Sequence, residues 1–128
     1  KDAIAYIGAQ ILGALCAVML AKVFTIASPM STTPFEAIIF LAEMLGTFFF
    51  TFGIASVVYG NAKEQMSGIV VGGSLLLGVL IASLAGASGI LNPAVAVALN
   101  AVSLVYVLAP IAGSVLGFQA YKYLVESK

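Results

Sequence analysis

Gly86-Ala87-Ser88-Gly89-Ile90-Leu91-Asn92-Pro93-Ala94-Val95-Ala96-Val97-Ala98-Leu99 is an uncharged loop that runs into a short apolar helix. Pro93 suits the first helical position, where a missing N–H costs nothing. Asn92 before it is a favoured N-cap. The apolar run ends at Asn100, roughly half of the ~20 residues that cross a bilayer. The pattern predicts a half-helix whose N-terminus lies at membrane depth. Such a terminus carries about half a positive charge and several unpaired N–H groups, and so repels cations. The Asn92 amide adds two donors. The carbonyls of Gly86, Ala87, Ser88 and Gly89, and on to Leu91, would add acceptors if this backbone is unwound. Irregular backbone survives at that depth only where it lines a water-filled cavity or is buried in protein. Outside a membrane, Asn-Pro usually marks no more than a helix start after a turn.

The rest of the chain supplies the membrane context. Of 128 residues, 62% are hydrophobic and 8% charged, with a mean hydropathy of +1.19. Soluble domains carry about 25% charged residues. The composition is that of an all-α integral membrane protein. Net charge is zero and His is absent, so no basic face exists for nucleic acid. The single Cys16 lies in an apolar run and reads as a small core residue rather than a reactive thiol. No nucleophile–base pair, metal cluster or phosphate loop points to an enzyme, and no cofactor is implied. The chain begins at Lys1 rather than Met, which reads as a piece of a longer chain or a processed form.

Four apolar runs are long enough to span: residues 3–27, 35–59, 66–85 and 102–124, with the loop and half-helix over 86–101. In the first, Gly8 and Gly13 would allow close helix contact, and Lys22 can snorkel. Ser28 to Pro34 is a polar break, and Thr33-Pro34 with Glu36 makes a helix start. The second run holds Glu43 about two turns in. One reading turns it inward to accept hydrogen bonds from the loop before Asn92 and brace it; the other leaves it near the headgroups, partly solvated. Thr47 and Thr51 could bond back into their own helix. Phe48, Phe49, Phe50 and Phe52 read as lipid-facing or packing residues. Gly60 to Gln65 is a second loop. The third run carries Gly68, Gly72, Gly73 and Gly78, a sign of a close neighbour or pore wall. In the fourth, Pro110 should kink the helix, Gly113-x-x-x-Gly117 is a packing face, and Tyr106, Tyr121 and Tyr123 suit the membrane interfaces. Lys1, Lys63, Lys122 and Lys128 fall on one side and Lys22 on the other, which places both termini in the cytoplasm.

Ser88-Gly89 followed by Leu91-Asn92-Pro93-Ala94-Val95 resembles the Asn-Pro-Ala signature of the aquaporin and glycerol-facilitator (major intrinsic protein) family. Ala42-Glu43-Met44-Leu45-Gly46-Thr47-Phe48 resembles the Ala-Glu-x-x-Gly-Thr pattern of that family's helices that open each half. Tyr6 to Ala14 resembles its third helix. Val105-Tyr106 through Pro110, and Gly113 to Gly117, resemble its sixth. Four motifs in the family's order cover nearly the whole chain.

The resemblance implies an aquaporin-like right-handed bundle, here a partial fold of four transmembrane helices and one re-entrant half-helix. Two spans and the first Asn-Pro-Ala of the family pattern are missing. It also implies a passive channel for water or small neutral solutes (glycerol, urea, ammonia). Asn92 would be the central donor, Pro93 the helix start and Ala94 the small contact to a pseudo-symmetric partner. The filter positions fall near Leu80 and at Gly89 and Val95. Val95 stands where the family typically has Arg, so the constriction would be apolar and wide. Expected partners are the lipid bilayer, the permeant, and either further copies in a homo-tetramer or a missing N-terminal half. The alternative is a non-conducting, aquaporin-like structural subunit of a membrane complex. A coupled transporter ranks last, because only Glu43 is an ionisable group along the path.

Overall fold

The computed structural model describes residues 2–24 and 36–126. These residues form helices α1 (Asp2–Val23), α2 (Ala37–Val58), α3 (Ser67–Leu84), α4 (Pro93–Ala98) and α5 (Leu104–Tyr121). A 3-10 turn (Glu64–Met66) leads into α3, and a π-turn (Lys122–Glu126) ends α5. Among the described residues there is no strand. Four helices are long and apolar enough to cross a membrane: α1, α2, α3 with its leading turn, and α5 with its trailing one. The six residues of α4 fall well short of a span. The expected break from Ser28 to Pro34 lies outside the described residues, as do Lys1 and Lys128. Glu36 is the N-cap position of α2 without a side-chain cap bond, and not a first-turn acid as expected.

Helix α2 is the centre of the bundle. It packs against α5 on one side and α3 on the other, while α1 leans mainly on α4. Glycine makes both α2 contacts close. A Cβ on Gly113 would strike the Met44 carbonyl, and one on Gly117 would strike the Thr51 hydroxyl and the Phe48 carbonyl. Across the other face Gly46 and Gly78 back onto each other, and the Leu91 side chain inserts beside the crossing. For the other glycines expected at helix contacts, the structure shows no close neighbour among the described residues. Gly8, Gly13, Gly68, Gly72 and Gly73 have nothing within 4 Å of a Cβ position.

Three helix ends share one device. Gly60, Gly86 and Asn100 have positive φ of 73°, 85° and 54° just past α2, α3 and α4. In each case the next N–H reaches back five residues: Asn61 to Ser56 (3.0 Å), Ala87 to Ala82 (3.0 Å) and Ala101 to Ala96 (2.9 Å). This left-handed cap satisfies carbonyls that the helix would otherwise leave bare.

Three further expectations change. Tyr106 is 1% exposed and belongs to the core, not to an interfacial belt. Tyr121 is also buried, against Phe52 and Tyr59, whereas Tyr123 is exposed. Cys16 is exposed on α1 rather than packed inside.

The close approaches predict a contrast. Gly113→Ala should lower thermal stability in detergent by about 1–3 kcal/mol, because packed backbone has to part. Gly72→Ala, with open space around it, should lose nothing. Equal melting temperatures for the two variants would contradict the α2–α5 contact.

Candidate pore site

The loop before Asn92 is fixed from within the bundle. Glu43 is completely buried on α2. Its Oε1 accepts the Ile90 N–H at 3.1 Å and its Oε2 the Leu91 N–H at 2.9 Å. Two successive N–H groups therefore converge on one carboxylate, an arrangement that suits an acceptor-only side chain. The loop is bent to allow this. Gly89 has φ 67° and Leu91 φ 54°. A left-handed leucine costs about 1–2 kcal/mol. Two buried hydrogen bonds at about 1 kcal/mol each offset that, and the Leu91 side chain, 3% exposed, adds apolar burial. A second tie comes from α5, where the buried Tyr106 hydroxyl lies 3.0 Å from that of Ser88.

Asn92 is the N-cap of α4, as the sequence pattern predicts. Its Oδ1 accepts the Ala94 N–H at 2.9 Å, and its carbonyl accepts the Ala96 N–H at 3.1 Å. Pro93 has no N–H. The first turn therefore spends most of its donors locally, contrary to the expectation of several unpaired ones. What remains is the Val95 N–H and the Asn92 side-chain N–H pair. Because Oδ1 is engaged by Ala94, Nδ2 faces away from α4, and it donates to Gln10 Oε1 on α1 at 3.2 Å.

Two cavities meet at this pair. One, of about 330 Å³, is lined chiefly by Ile7, Ile11, Ala94, Val97, Val107 and Ile111 together with Gln10, Asn92 and Pro93. The other, of about 260 Å³, adds Thr47, Thr51, Ser114, Phe50 and Pro110 to Gln10, Asn92 and Pro93. Phe50 therefore faces a cavity, not only lipid or packing. Thr47 and Thr51 do bond back to the carbonyls of Glu43 (2.7 Å) and Thr47 (2.8 Å), and they also line this cavity.

Other expected site residues lie apart. The N–H groups of Gly86 and Ala87 close α3, and Ala87 sits in the core. Ser88 is turned to Tyr106, and Gly89 packs on Val79. Leu80 is half exposed, and Val95 packs against the core. None of Leu80, Gly89 and Val95 lines the two cavities at Asn92. Sequence reasoning missed Gln10 as a site residue. The available signal was a lone amide in an apolar span, the kind of residue that bonds across helices.

No family model, no curated protein and no solved structure matches this chain.

The brace can be tested by hydrogen exchange. In Glu43→Gln one acceptor oxygen becomes a donor facing a donor, so the Ile90 and Leu91 amides should exchange at least about tenfold faster, the equivalent of one lost bond. Tyr106→Phe should cost about 1 kcal/mol and leave those two amides protected. Unchanged exchange in Glu43→Gln would remove the carboxylate from any bracing role.

Proposed function

We propose that this chain forms, alone or with a partner half, a passive transmembrane path for water and small neutral solutes of the glycerol, urea or ammonia class. In this reading the fold is aquaporin-like, α4 is a re-entrant half-helix, and both termini lie in the cytoplasm. Copies of the chain assemble as a homo-tetramer, or a second half completes each pore. The observation that carries the reading is Asn92: a side-chain donor held at the common wall of two cavities, on a loop pinned by a buried carboxylate. Among the described residues, no Lys, Asp or Glu lines either cavity. An ion entering there would shed water with no opposite charge to replace it.

One observation favours the second reading, a non-conducting structural subunit. Leu80, Gly89 and Val95, the residues that the resemblance assigns to a filter, stand away from the cavities at Asn92. A channel and a scaffold differ in flux. Liposomes containing the chain should shrink faster than empty ones under a sorbitol gradient in stopped-flow light scattering, and re-swell under glycerol. Asn92→Asp should raise cation conductance, because a carboxylate replaces the donor on the path. Verified insertion without any gain in permeability would favour the scaffold.

A further inference from the structure

We propose that the Gln10–Asn92 hydrogen bond is a latch between the two cavities, and that Gln10 is a specificity-determining residue for the permeant. The inference rests on the channel reading above. Gln10, Asn92, Pro93 and Ile111 are common to the walls of both cavities, so the pair lies on the boundary that the two share. Its two ends are held differently. Asn92 is locked, because Ala94 engages its Oδ1 and the loop behind it is tied to Glu43. Gln10 projects from α1, which packs mainly on α4, and is exposed. The movable end of the latch is Gln10.

The surroundings define what can open it. On one side the walls are apolar: Ile7, Ile11, Val97 and Val107. On the other stand the Thr47, Thr51 and Ser114 hydroxyls, whose protons are given to the carbonyls of Glu43, Thr47 and Ile111. They offer a permeant lone pairs and no donor. Among the described residues of this wall, the side-chain donors not given to a backbone carbonyl are the amides of Asn92 and Gln10. A molecule that passes has to part Nδ2 from Oε1 and satisfy both at once, presenting an acceptor to Asn92 and a donor to Gln10. A hydroxyl or a primary amide does this with one group. A cation can satisfy only Gln10 Oε1 and then meets the Asn92 donor. An anion can take hydrogen bonds from both amides but leaves Gln10 Oε1 without a donor. An apolar solute satisfies neither and leaves two polar groups unpaired.

The test compares the wild-type chain with Gln10→Leu in two assays. In stopped-flow proteoliposome measurements, removing the acceptor should lower the ratio of glycerol to dimethyl sulfoxide permeability by about tenfold, because dimethyl sulfoxide, which accepts but cannot donate, no longer leaves Gln10 Oε1 unpaired, a difference of one hydrogen bond. In detergent micelles, the Asn92 side-chain amide protons of ¹⁵N-labelled chain should move upfield in Gln10→Leu, since they lose an acceptor. A permeability ratio within about twofold of wild type, less than one hydrogen bond's worth, overturns the specificity role. An unmoved Asn92 amide signal overturns the pair itself. Wild-type vesicles no more permeable than empty ones overturn the channel reading, and with it the permeant role of Gln10. Conducting vesicles with an unaltered ratio overturn only the inference about Gln10.

Discussion

A buried carboxylate taking two consecutive backbone N–H groups is the contact on which the rest depends. Glu43 stands on the central helix, and its partners, Ile90 and Leu91, are the last two residues before Asn92. Without it the loop would carry two bare donors in a bundle whose surface is almost wholly apolar, and bare donors there are expensive. With it, the left-handed turn at Leu91 is held, Asn92 arrives at its cap position, and α4 starts where it does. The direction of the Asn92 amide follows from a carboxyl group one helix away.

The bundle around that contact relies on absent side chains. Helix α2 can touch both neighbours at backbone distance because Gly113 and Gly117 face it from α5 and Gly78 from α3. The Gly46–Gly78 crossing also opens the space that the Leu91 side chain fills. Packing and bracing thus meet at one residue: Leu91 donates its N–H to Glu43 and buries its side chain at the helix crossing.

Much of this was legible and some was not, for definable reasons. Four long apolar runs announce four helices by length alone. Asn92-Pro93 announces a helix start, and an acid inside an apolar run announces a specific partner. Glycine spacing is different. Gly113-x-x-x-Gly117 meets α2, while Gly68-x-x-x-Gly72 meets nothing. The same pattern has opposite outcomes, because a glycine states what a helix permits and not what lies beside it. Tyr106 misled in a similar way: its position near a helix start suits an interface, but Ser88 supplies a partner that draws the hydroxyl inward. Gln10 was passed over because its partner lies 82 residues away, and no local pattern links the two. The left-handed turn by which Gly86 caps α3 was not foreseen, because a glycine in a loop does not say which helix end it closes.

The separation of 47 residues between Glu43 and Ile90 sets an order of events during synthesis. Helix α2 leaves the ribosome before either amide that its carboxylate will hold exists. An acid about two turns into a newly inserted helix is costly to leave in hydrocarbon. Helix α2 therefore has to be sheltered, in the insertion machinery or near the headgroups, until α3 and the loop have followed. The residue that makes the finished bundle firm is the one that makes its assembly wait.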